Sequence, residues 1–144
     1  MTQPRDVALV DELRSQSDET PWLEFKHNNT DPEMIGKRCS ALANSARIEG
    51  RDCAYMLWGI EDASHKVVGT DFRPDSVKVG GQVMQLWLAN KLQPSIAFSF
   101  RVVEHPEGRV VLLELPAATG TPVSFHGTPY IRIGSATPKL TDYP

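Results

Sequence analysis

Apolar positions recur along the chain with two periods, and these delimit the elements. Val7, Val10 and Leu13 stand at helical spacing, which predicts a short amphipathic helix over residues 6–15. The polar stretch 15–21 ends at Pro21 and reads as a loop. Residues 22–26 read as a strand, with Leu23 and Phe25 on one face and Trp22, Glu24 and Lys26 on the other. The face with Glu24 and Lys26 therefore looks towards something polar. Asp31 is a good N-cap and Pro32 suits the first helical position. They start a helix running to about residue 45, whose buried stripe is Ile35, Cys39, Leu42 and Ala46. The nearly unbroken apolar run 53–60 suits a central strand buried on both faces. It ends in Glu61 and Asp62, and a turn at 63–66 with a short return at 67–69 makes it a hairpin. Residues 75–92 read as a second long helix, with Val79, Val83, Leu86 and Asn90 inside, Gly80 and Gly81 weakening its first turn, and Pro94 ending it. Strands follow at 95–103 and 109–115, then a hairpin of 122–126 with 130–133. The order predicts an α+β fold, with about three helices on a mixed, largely antiparallel sheet.

Composition bounds the classes. The chain has 144 residues, so residues 1–144 are expected to form a single domain, large enough for a core without staples. Its 40% hydrophobic and 23% charged residues are those of an ordinary soluble protein. No apolar run approaches a membrane span, and the first residues carry no secretory signal. A cytoplasmic protein without a membrane partner is the expectation. Cys39 and Cys53 match no zinc pattern and read as two buried thiols in a reducing compartment. The net charge of −3 weighs against a simple DNA-coating protein. It leaves room for a local basic face, or for carboxylates gathered around a divalent cation.

Phosphate loops of the P-loop and dinucleotide types are absent, as is a nucleophile elbow. The four histidines are scattered, mostly in turns, and read as surface or supporting residues. Three acids stand out: Glu19, Glu24 and Asp62. Glu24 projects from one strand and Asp62 follows another, and loops at strand ends are where scaffolds place functional groups. If the strands are neighbours, the carboxylates converge, and a divalent cation would relieve their repulsion. Mg²⁺ or Mn²⁺ held there would generate hydroxide and stabilise a phosphoryl transition state, with Lys26 on the phosphate. On spacing alone, a plainer arrangement is favoured: a solvated Glu19, Glu24 paired with Lys26 across the surface, and Asp62 capping a turn.

A resemblance shifts that balance. Glu19, Glu24-Phe25-Lys26, Ala41-Leu42-Ala43-Asn44-Ser45, Trp58-Gly59-Ile60-Glu61-Asp62 and Val67-Val68-Gly69 together resemble the Schlafen-type AlbA-like domain. The segment from Gly127-Thr128-Pro129-Tyr130 through Ile131-Arg132-Ile133-Gly134-Ser135 is similar to that family's C-terminal part, so the likeness covers nearly the whole chain. In animal Schlafens the domain is an endoribonuclease on transfer and ribosomal RNA, and the resemblance places its three acids on Glu19, Glu24 and Asp62. In bacteria it is a DNA-binding domain of transcription regulators, ahead of an ATPase-like region and a winged helix. The chain resembles this bacterial branch and is expected to be the N-terminal piece of a longer regulator. Two departures stand out. Residues 46–52 enlarge a loop that is usually a Gly-Gly, and the zinc ligands of animal Schlafens are missing. Animal Schlafens also clamp RNA between two lobes, and here only a homodimer would supply the second.

The residues expected to contact nucleic acid, besides Lys26, are Lys37, Arg38, Arg47, Arg51, Arg132 and Lys139, with Tyr130 and Arg132 as a stacking and phosphate pair. Three readings follow: a metal-dependent endoribonuclease on structured RNA such as tRNA, a non-catalytic DNA-binding module of a regulator, or a dimerisation domain.

Overall fold

The computed structural model describes residues 3–18 and 20–140. Its centre is a four-stranded sheet in the order β1-β2-β7-β6. β1 (Leu23–Lys26) runs parallel to β2 (Cys53–Trp58), with Glu24 beside Met56 and Lys26 beside Trp58. β2 is antiparallel to β7 (Gly108–Pro116), which is antiparallel to β6 (Ser99–His105). A parallel β1–β2 pair needs a crossover, and α2 (Pro32–Ile48) supplies it. The expected α+β fold with a mixed, largely antiparallel sheet and three helices is the one observed.

The sheet is covered on both faces. α1 (Pro4–Arg14) lies over the face that carries Phe25 and Arg101, burying Val10 and Leu13. Asp6 of α1 pairs with Arg101, and Asp11 with His105. α2 lies over the opposite face, where Met56, Trp58, Leu113 and Val111 stand in register. Asp31 caps α2 by accepting from the Met34 N–H at 3.0 Å, and Pro32 opens it, as the sequence predicts. Ile35, Cys39, Leu42 and Ala46 are fully buried.

A second side of α2 is buried as well, and this one is polar. Ser40 Oγ donates to Val123 O at 2.6 Å and accepts from the Tyr130 N–H. Asn44 Nδ2 donates to the carbonyls of Val123 and Tyr130, while its Oδ1 accepts from Val123 N–H. Ser45 Oγ accepts from Arg132 N–H. Buried polar side chains require partners, and here they tie a long C-terminal segment to the helix. Gly36 lies on the same side. A Cβ there would meet the Phe125 ring at 2.1 Å, so the helix needs glycine to admit that ring.

The structure corrects several expectations. The helix placed at 75–92 is α3 (Met84–Lys91) alone. Before it, β3 (Lys78–Val79) and β4 (Gln82–Val83) form a small hairpin around Gly80 and Gly81, at φ 57° and 81°. Two adjacent residues at positive φ make a tight strand-reversing turn, which no helix accommodates. The buried face is also different: Met84, Trp87 and Leu88 are inside, whereas Leu86, Val83 and Asn90 are exposed. Near the C-terminus, β8 (Ser124–Phe125) pairs with β9 (Thr128–Pro129) on one side and with β5 (Leu92–Gln93) on the other, so the reversal falls at His126 and Gly127. Tyr130 and Ile133 make only single bridges, to Lys139 and Ala136. The return at 67–69 is likewise a single bridge, Ile60 to Val67. Both cysteines are free, Cys39 buried and Cys53 only partly so. Among the described residues no helix is long and apolar enough to cross a membrane.

Candidate nucleic-acid interface

Glu24 is the most constrained acid of the described chain. Strand alternation turns it towards α2, where it is 6% exposed. Its Oε2 accepts from Arg38 Nε at 2.8 Å and lies 3.4 Å from Lys26 Nζ. Its Oε1 accepts from Arg132 Nε at 3.3 Å. Three elements distant in sequence thus converge: β1, the outward side of α2, and the C-terminal segment that Asn44 and Ser45 hold in place. Arg132 is buried too, and its other nitrogens donate to the carbonyls of Thr20 and Asp18. It therefore locks the loop before β1 to the C-terminal segment.

Among the described residues the charge balance of this cluster is positive: one carboxylate faces three cations, two positive charges in excess. Lys26 and Arg38 reach water at the edge of the cluster, with side chains 27% and 19% exposed. Lys37, next to Arg38, is exposed and holds its Nζ 5.9 Å from the Tyr130 ring centroid. Lys139 is exposed opposite Tyr130 across their bridge. Cations thus gather at two neighbouring points, Glu24 and Tyr130, which lie on segments joined through Arg132.

The other expected residues lie elsewhere. Glu19 is outside the described residues. Asp62 is exposed on the turn after β2. That turn closes over the opposite side of the sheet, where His65 stacks on Phe25 at 4.4 Å between ring centroids, contacts Asp18 and takes the Arg14 carbonyl. No contact joins Asp62 to Glu24 among the described residues. Arg47 reaches the Ala118 carbonyl at 3.4 Å, and Arg51 lies 4.0 Å above the Trp22 ring. The strand expected to carry Tyr130 and Arg132 is not formed, and the Arg132 guanidinium is engaged by Glu24 and two carbonyls.

Among the described residues both Glu24 oxygens face cations, so a divalent cation there would have to displace at least one of them. Among the described residues no group of three or more His, Cys, Asp or Glu is arranged to hold a metal. Sequence alone pairs Glu24 with Lys26 but misses its two arginines, because these lie 14 and 108 positions away. One signal was present: polar Asn44 and Ser45 follow the apolar Ala41-Leu42-Ala43, which marks a helix side that binds something.

The Schlafen, AlbA_2 family model matches residues 19–141. No curated protein matches the chain. Among solved structures, a crystal structure of a Corynebacterium diphtheriae protein aligns with TM-score 0.54 and 17% identity. The alignment covers 94% of this chain but 26% of that one, so this domain spans about a quarter of its length, and the likeness is one of fold. A solution structure from Nitrosomonas europaea, the N-terminal domain of a protein related to the ATP-dependent DNA helicase RecG, aligns with TM-score 0.49 and 24% identity over 90% of this chain and 89% of that one. With the family match spanning most of its length and every element from β1 to β9, the chain belongs to the Schlafen AlbA_2 family.

Proposed function

We propose that the domain binds nucleic acid through the face formed by Lys26, Arg38, Lys37 and Lys139, as a recognition module of a larger protein. The observation that carries this reading is the excess of positive charge around Glu24 among the described residues: three cations on one buried carboxylate, with two further exposed lysines at Tyr130. Phosphate is the complementary ligand for such a face. Family membership points the same way. The net charge of −3 is compatible with it, since the acidic residues elsewhere leave this face positive and help to orient a polyanion.

In this reading Glu24 organises cations and does not ligate a metal. The competing reading, RNA cleavage by a Mg²⁺ or Mn²⁺ site on Glu19, Glu24 and Asp62, requires Glu24 to exchange its arginines for a metal. One experiment separates them. Affinity for a labelled oligonucleotide is measured by fluorescence anisotropy against salt, with and without chelator, and the substrate is then checked for cleavage. Binding should weaken steeply with salt, be indifferent to chelator, and leave the strand intact. The Lys37→Ala, Lys139→Ala double variant should flatten the log–log salt slope by about 1–2 units, since each lost phosphate contact removes roughly 0.7–0.9. Chelator-sensitive cleavage that vanishes in Glu24→Gln would reverse the choice.

A further inference from the structure

Resting on that nucleic-acid reading, we propose that Tyr130 is a stacking platform for an unpaired base, so that the face selects single-stranded segments over duplex. The main chain of Tyr130 is gripped from both sides by α2: its N–H donates to Ser40 Oγ at 2.9 Å, and its carbonyl accepts from Asn44 Nδ2 at 2.8 Å. The ring is half-buried, one part packed on the core and the rest open to solvent. Its position is set before any ligand arrives, so little ordering is needed on binding.

The ring also sits among cations. Lys37 from α2 holds its Nζ over the ring face at 5.9 Å, a loose contact that an arriving base would displace towards its phosphate, and Lys139 stands opposite across the bridge. Two residues further along, Arg132 connects to Glu24, and through it to Arg38 and Lys26. An aromatic surface flanked by phosphate-binding cations from separate elements is the arrangement that binds a strand by base stacking plus backbone attraction. The three tryptophans are spent elsewhere. Trp22 is buried and lies under Arg51, Trp58 is fully buried, and Trp87 packs on Phe125. A paired base has both faces covered within the helical stack and cannot lie on Tyr130. An unpaired base can, in RNA or in DNA.

The test measures anisotropy of four labelled ligands of equal length: a uridine-rich RNA strand, a thymidine-rich DNA strand, a duplex, and an abasic DNA strand that keeps the phosphates. The wild-type domain should bind one or both base-bearing strands more tightly than the duplex and the abasic strand. Tyr130→Leu should weaken base-bearing strands about 5- to 150-fold, the equivalent of about 1–3 kcal/mol for one stacked base. It should leave duplex and abasic affinities unchanged, which also controls for folding. Tyr130→Phe should retain the preference, because it retains the ring. Equal losses on base-bearing and abasic strands, or an unchanged preference in Tyr130→Leu, would overturn the platform while leaving binding by the basic face intact. Failure of the wild-type domain to bind any of the four at low salt would overturn the underlying reading as well.

Discussion

At the scale of the residue, Glu24 decides how the site is understood. A buried carboxylate next to Arg132, itself buried, behaves differently from a metal ligand when it is neutralised. Glu24→Gln leaves the Arg132 guanidinium without its counter-charge inside the protein. Opening a buried pair in this way costs about 3–5 kcal/mol. The lower end is expected here, since Lys26 and Arg38 can turn to water. Urea unfolding of Glu24→Gln should therefore give a loss of about 3 kcal/mol, while the exposed Asp62→Asn should stay within about 0.5 kcal/mol of wild type. Chelator should shift the midpoint of neither. A loss below about 1 kcal/mol for Glu24→Gln would mean that Glu24 is not the anchor of the three cations. That Glu24 faces a polar environment was legible from strand alternation. The identity of that environment was not, because Arg132 reaches it from the far end of the chain through contacts that no local spacing encodes.

At the scale of the element, α2 joins two roles on opposite sides. Its apolar stripe and N-cap were readable, since Ile35, Cys39, Leu42 and Ala46 repeat at helical intervals and Asp31-Pro32 marks the start, whereas its end at Ile48, three residues beyond the expected one, was not. Its grip on the C-terminal segment was not, because hydrogen bonds to main-chain groups of residues 123–132 depend on where an irregular segment happens to run. The misread helix at 75–92 has a related cause. Val79, Val83 and Leu86 fit a helical period by coincidence, whereas Gly80 and Gly81 take positive φ and reverse the chain. The grip itself is testable. Asn44→Ala removes both donors and the acceptor that meet Val123 and Tyr130. Leaving such buried groups unpaired costs about 1–3 kcal/mol each when no water replaces the lost partner. A total near 3 kcal/mol is expected in urea unfolding, with faster amide exchange concentrated in residues 123–132. Exchange raised evenly over the whole chain would argue against a local clamp.

At the scale of the whole molecule, the two faces of the sheet are held by different forces. α2 and α3 bury a broad apolar surface, whereas α1 contributes chiefly Val10 and Leu13 and otherwise attaches by charge. Those attachments are Asp6 to Arg101, Asp11 to His105, and Arg14 exchanging hydrogen bonds with His65. The hydrogen bond with His105, aided by the neighbouring Arg14, holds the Asp11 carboxyl below its ordinary value. A carboxyl lowered in the folded state adds stability that is present above its unfolded pKa and is lost as pH falls through its folded one. Acid should therefore loosen α1 before the α2-covered face, in the range below about pH 4 where free aspartate takes up its proton. Amide exchange, corrected for the intrinsic pH dependence, should show protection in residues 4–14 dropping first between pH 5 and pH 3, and Asp11→Asn should show part of that drop already at pH 5. Loss of α1 and α2 protection together would instead mark one cooperative unit in which the charged attachments of α1 add nothing separable.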